Sequence, residues 1–190
     1  MKTAIIFNWP EMPALPPPGQ PVLIRVATTL DRPTARQELR TALRALLAGW
    51  SNLSPEQLPL GETTSGPVWS GALGGHSLDI SLSYADGEGW MGLVRAGTIG
   101  VDVLPIQSIP EAEAVAQLYL GPDELLAIQQ SAAPAVAFAM AWTALEARLK
   151  CLKQPLRELP AALRPALKKC AVQNWVQPNR RMVAVAVIAG

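Results

Sequence analysis

Trp142-Thr143-Ala144-Leu145-Glu146-Ala147-Arg148-Leu149-Lys150 lies in a run that opens at Pro134 and must close before Pro155. Proline is tolerated in the first helical turn and not in a helix interior, so the two prolines bound one long helix. Ala135, Val136, Phe138, Met140, Trp142, Leu145 and Leu149 make it apolar nearly all round, the pattern of a helix buried in a protein. Glu146 and Lys150 fall one turn apart on the same face. On a solvated helix such a pair would contribute only a few tenths of a kcal/mol. In a helix this apolar, the acid is expected to point at something specific.

Working upstream, Ile99-Gly100-Val101-Asp102-Val103-Leu104-Pro105 is a strand with Asp102 facing away from Ile99, Val101 and Val103. Ser77 to Tyr84 alternates Leu78, Ile80, Leu82 and Tyr84 against Ser77, Asp79, Ser81 and Ser83, a half-buried strand. Asp86-Gly87-Glu88-Gly89 and Ala96-Gly97 are turns, which predicts a three-stranded meander from 77 to 104. Earlier, Val22 to Ala27 is a strand and Pro33 to Trp50 a helix, with Arg36, Arg40 and Arg44 at four-residue spacing. Prolines 10, 13, 16, 17 and 18 exclude a helix near the N-terminus, and residues 60 to 75 are expected to be loop. Glu111 to Leu120 reads as a helix, a second starts at Pro122, and Ala171 to Trp175 and Arg181 to Ala189 are strands.

Helix followed by strands in each half predicts an α+β fold, a pseudo-dimer of two similar halves with the site between them. The boundary is placed so that 1–97 form the N-terminal half and 98–190 the C-terminal half carrying the acids. Sixteen basic and fifteen acidic residues in 190 leave a net charge of +1. That gives no whole-chain case for nucleic acid or an anionic membrane. No run approaches the ~18 apolar residues of a membrane span. Cys151 and Cys170 have no metal-site spacing and read as reduced thiols, in keeping with a cytoplasmic protein. His76 is expected on the surface, and Trp50, Trp69, Trp90 and Trp175 in core or rim packing.

One acid on a strand and another on a helix can share a magnesium ion, which takes few protein carboxylates and completes its shell with water and phosphate oxygens. Lys150 would then serve a phosphate as a point charge.

Ile99 to Leu104 and Trp142 to Lys150 resemble the two signature motifs of the 4'-phosphopantetheinyl transferase superfamily, roughly V/I-G-V/I-D-x-E and W-S/T-x-K-E-A-x-x-K. The gap between the two acids is close to the family's. Ala116 to Leu125 is similar to its A-x-x-F-F-S-P-E-E-L, Ile80 to Ala85 to its F-N-L-S-H-S, and Arg36 to Ala48 to its R-x-x-L-R-x-x-L-A helix. The resemblance implies an Sfp-like, magnesium-dependent enzyme that moves the phosphopantetheine arm of coenzyme A onto a serine of an acyl, peptidyl or aryl carrier protein. It implies Asp102 and Glu146 as metal ligands and Glu146 and Lys150 as catalytic residues. Arg36, Arg40, Ser83, Tyr84 and Lys150 are implied as coenzyme A contacts. The length favours a monomer holding both halves.

Several motif positions differ. Leu104 replaces the second acid, Leu145 the lysine before the glutamate, and Tyr84 the usual histidine. Gly66 in Ser65-Gly66-Pro67 replaces a loop lysine, and Lys153 and Pro155 stand where a glycine pair is expected. Arg32, Arg36 and Arg40 are the cations that could compensate. The alternative is a degenerate, non-catalytic member that binds carrier protein or coenzyme A. Lys168-Lys169 and Arg180-Arg181 are candidates for docking an acidic carrier.

Overall fold

The apolar run from Val22 becomes strand β2 (Val22–Ala27), flanked in a four-stranded sheet by β1 (Ile5–Asn8) and β6 (Glu88–Arg95). Beyond β6 lies β5 (Leu78–Ala85); β1 and β2 pair in parallel, and the other pairs of this sheet are antiparallel. This computed structural model describes residues 2–64, 66–156, 158 and 163–190, so Met1 and the Ser65 of Ser65-Gly66-Pro67 lie outside it.

Helix α1 (Arg32–Ser51) begins at Asp31, whose carboxylate accepts from the Thr34 amide at 3.0 Å. That satisfies a backbone donor the first turn would leave unpaired. Leu39, Leu43, Leu46 and Leu47 then pack on Val22, Ile24, Val26, Ile80, Met91 and Leu93 of the sheet. Between α1 and β5, β3 (Leu60–Thr63) and β4 (Gly66–Trp69) form a hairpin. The loop expected over 60 to 75 is therefore partly a hairpin. Val68 and Trp69 point alternately outward and inward on it.

The meander expected from 77 to 104 holds only for β5 and β6. Both edges of β6 are already paired, with β2 and with β5, so the next strand has no free backbone edge there. At Ala96, in a left-handed conformation (φ 53°), the chain turns instead into β7 (Gly97–Pro105) of a second sheet. That sheet is antiparallel in the order β7-β9-β8, with β8 at Ala171–Val176 and β9 at Arg181–Ala189. Ile99, Val101 and Val103 join Val183, Val185 and Val187 against Leu23, Trp90 and Val94 of the first sheet.

The far side of the second sheet is covered by α4 (Pro134–Cys151), with Ala147 and Cys151 against Ala184 and Ala186. The helix expected from 111 to 120 is a short α2 (Ala112–Val115) running into a π-helical turn (Ala116–Leu120). Helix α3 (Pro122–Gln129) follows, and α5 (Arg164–Lys168) precedes β8. The order of layers is helix, sheet, sheet, helix: a mixed α+β protein. No helix among the described residues is long and apolar enough to cross a membrane.

The two sheets also meet edge to edge. β5 and β7 share no backbone ladder, yet Asp79 Oδ2 accepts from the Ile99 amide at 2.7 Å, Ser81 Oγ from Val101 at 3.0 Å and Ser83 Oγ from Val103 at 3.3 Å. The polar face of β5, expected to meet water, is thus largely spent on the free edge of β7. Ser81 and Ser83 are buried by it, and the β7 amides gain the partners that a buried edge requires.

Candidate functional site

Gly100 decides how near α4 can lie to β7. A Cβ on it would collide with the Ala147 carbonyl oxygen and stand 2.5 Å from the Cys151 amide nitrogen. With Ala184 and Ala186 as its neighbours on β9, a patch of small residues lets the helix settle on the sheet. One turn of α4 then hangs over Asp102, two residues along β7 from Gly100.

Asp102 is buried, with its Oδ1 engaged twice. Ser83 Oγ donates to its Oδ1 at 2.9 Å, and the Lys150 ammonium stands 2.7 Å from the same oxygen. Lys150 also donates to the Val101 carbonyl at 3.1 Å. The Glu146–Lys150 pairing suggested by helical spacing is replaced by a Lys150–Asp102 pairing between elements. Glu146, half-buried, holds its proton more tightly than an ordinary glutamate. Burial is the largest cause and the Asp102 charge adds to it, while Lys150 opposes both.

These three groups line a cleft of about 520 Å³ with Arg32, Arg36 and Arg40 of α1, Ser83 and Tyr84 of β5, and Trp142 of α4. Every residue that the sequence nominates for coenzyme A, metal or catalysis is therefore found in one place. Their states differ. Tyr84 OH accepts from Arg32 Nε, and the Arg32 and Arg36 guanidinium carbons lie 5.3 and 5.5 Å from its ring centroid. Cation–π attraction of this kind stabilises guanidinium groups over a ring face, so Tyr84 gathers two cations at the cleft where the family pattern has a histidine. Arg40 is paired in a fork with Glu62, Nε to Oε1 at 2.7 Å and Nη2 to Oε2 at 3.1 Å. Ser83 has its hydroxyl committed to Asp102 and Val103.

Sequence reasoning matched Gly66-Pro67 to a family loop that has lost its lysine, but missed Thr63 and Thr64, which form a cleft wall with them at the tip of the β3–β4 hairpin. The run Gly66-Pro67-Val68-Trp69 carried a weak alternation that could have marked it. Arg181 also behaves unexpectedly for a docking residue. It turns inward to Glu88, 3.5 Å away, and to the Asp86 carbonyl. Trp90 and Trp69 are buried in the core as expected, and Cys151 and Cys170 are free buried thiols.

Residues 98–183 match the family model described as the 4'-phosphopantetheinyl transferase superfamily. The matched segment includes Asp102, Glu146 and Lys150. No curated protein matches the chain. This segment, which contains β7, α4 and the acids they bring together, is thus similar to the 4'-phosphopantetheinyl transferase superfamily over a little under half of the chain.

Proposed function

We propose that this protein transfers the 4'-phosphopantetheine arm of coenzyme A to a serine of an acyl, peptidyl or aryl carrier protein, with magnesium held by Asp102 and Glu146. The observation that carries this reading is the meeting of Asp102, Glu146 and Lys150 in one cleft with Arg32 and Arg36. Acids on one side and cations on another suit a metal-bridged pyrophosphate.

The donor set fits the ion. No group of three or more His, Cys, Asp or Glu gathers as a metal cage among the described residues. Magnesium is commonly bound by one or two carboxylates together with substrate phosphates, and the mutual repulsion of Asp102 and Glu146 is what a cation would relieve. When bound, the ion would neutralise charge on the pyrophosphate.

Glu146 takes the proton of the carrier serine, directly or through a water. The serine oxygen forms a bond to the β-phosphorus as the bond from that phosphorus to the bridging oxygen breaks. The electron pair leaves with 3',5'-ADP. Lys150 meets phosphate charge, and Arg32 and Arg36, held by Tyr84, bind the nucleotide end. The chain works as a cytoplasmic monomer whose halves, 1–97 and 98–190, form a pseudo-dimer of the Sfp-like type around the cleft.

Intact-mass spectrometry of an apo carrier incubated with the protein, coenzyme A and magnesium tests this. The expected result is a phosphopantetheine mass gain that vanishes with chelator or with Glu146→Ala. One observation favours a binder without turnover: Leu104 occupies the position of the family's second acid, at the cleft. Coenzyme A binding without mass gain on fatty-acid, polyketide and peptide carriers would establish that reading instead.

A further inference from the structure

The Lys150 ammonium sits where a cation bound to Asp102 would sit. It is 2.7 Å from Asp102 Oδ1 and 3.1 Å from the Val101 carbonyl oxygen, two hard oxygen donors of the type that divalent ions prefer. The Ser83 hydroxyl completes the shell of Asp102 Oδ1. The Lys150 side chain remains 29% exposed and that of Asp102 10%, so the ammonium is the part of this pair that can leave through the cleft. Its four-carbon stem makes such a swing easy for lysine.

We propose that Lys150 is the resident cation of the acidic site, which it closes to divalent metal until a substrate pyrophosphate draws the ammonium away from Asp102. The inference rests on the coenzyme A reading for the identity of that pyrophosphate. It goes beyond that reading in assigning an order of events. Charge balance gives the reason. Asp102 and Glu146 carry two negative charges and Lys150 offsets one. A divalent ion entering alone would face an ammonium on the same carboxylate oxygen, and like charges at that distance in a partly buried site repel strongly. A pyrophosphate diester brings two further negative charges, takes the ammonium as its own partner, and leaves Asp102 open to the metal. Each ligand must then raise the affinity of the other by the same factor.

The test uses Mn²⁺ as the probe, read from the electron paramagnetic resonance of the free ion, so no transferase activity is needed. The native chain is expected to bind Mn²⁺ weakly alone and at least about tenfold more tightly with coenzyme A present, about 1.4 kcal/mol of coupling. Lys150→Gln is expected to bind Mn²⁺ alone at least about tenfold more tightly than the native chain, and to show little further gain from coenzyme A. Lys150→Arg keeps a cation on Asp102 and is expected to stay as weak as the native chain. Adding Asp102→Asn to Lys150→Gln should abolish the gain, which locates it at Asp102.

A Lys150→Gln variant that binds Mn²⁺ no better than the native chain overturns the proposal. So does a native chain whose Mn²⁺ affinity ignores coenzyme A, and that arm needs no variant to fold. A metal gain in Lys150→Gln together with no mass gain from the native chain on any carrier leaves the Lys150 gate standing and removes the transferase reading.

Discussion

Ser83 and Asp102 belong to strands that share no backbone ladder, yet the Ser83 hydroxyl donates to Asp102 Oδ1 at 2.9 Å and accepts from the Val103 amide at 3.3 Å. One side chain thus joins the edges of two sheets and fixes the carboxylate at the centre of the cleft. Asp79 and Ser81 repeat the edge contact at two-residue intervals, so the aim of Asp102 depends on the whole seam.

Ser83→Ala should leave the Val103 amide without an acceptor and Asp102 without one donor. Buried groups stranded in this way cost about 1–3 kcal/mol. Chemical denaturation should show a loss of that size, and Mn²⁺ affinity should fall along with it because the carboxylate is no longer held. Unaltered stability would mean that the seam does not carry load at this position.

Gly100→Ala should be among the most damaging methyl additions in the chain. The atoms it meets are backbone of α4, at the Ala147 carbonyl and the Cys151 amide, and they cannot rotate away as side chains do. Overpacking typically costs about 1–3 kcal/mol, and here α4 must also lift Glu146 and Lys150 away from Asp102. Gly61→Ala is the control, since its added Cβ would meet nothing nearer than 4.0 Å. Thermal melts of the two variants should differ by several degrees, on the order of 2–4 °C per kcal/mol for a chain of this size.

Glu88→Gln should destabilise the contact between the first sheet and the β8–β9 turn. The buried Glu88 carboxylate receives Arg25 at 2.6 Å, Trp90 Nε1 at 2.7 Å and Asn179 Nδ2 at 3.0 Å, with Arg181 at 3.5 Å. The arginines keep some solvent, so the loss should be about 1–3 kcal/mol. A melting temperature equal to the native one would show that the charge is dispensable there.

Glu146 predicts the sign of a pH effect in the metal-free protein. Its folded pKa is raised above the ordinary value of 4.5, first by burial and then by Asp102. The folded chain therefore binds more protons than the unfolded chain in a window that opens near 4.5 and extends upward. Stability conferred by the protonated form falls as pH rises through that window. Glu146→Gln removes this slope, so the variant should gain stability relative to the native chain as pH rises above about 4.5. Parallel melting curves for the two proteins across that range would refute the assignment.

Much of the site was legible before the fold. The two prolines bounding α4 and the single-turn spacing of Glu146 and Lys150 placed those groups together on a buried helix. The alternation of β5 put Ser83 on the polar face, and the motif around Asp102 supplied its counterpart. The partner of Lys150 was not legible, because helical spacing offers Glu146 while only the approach of α4 to β7 offers Asp102. The hairpin wall at Thr63 and Thr64 was hidden for a related reason: strands this short carry too few residues for their alternation to stand out.

By itself the sequence determined most of the helices and strands, the β3–β4 hairpin excepted, and which face of each is apolar, because those follow from local backbone sterics and from burial of side chains at a fixed period. Tertiary structure decided what covers each face. β7 leaves the first sheet because β6 has no free edge, the β5 serines bond β7 because its amides have no other partner, and α4 comes down on Asp102 because Gly100, Ala184 and Ala186 leave room for it. Pairing between distant elements is chosen by which edges remain open and how closely backbones can approach, and neither is a local property of the chain.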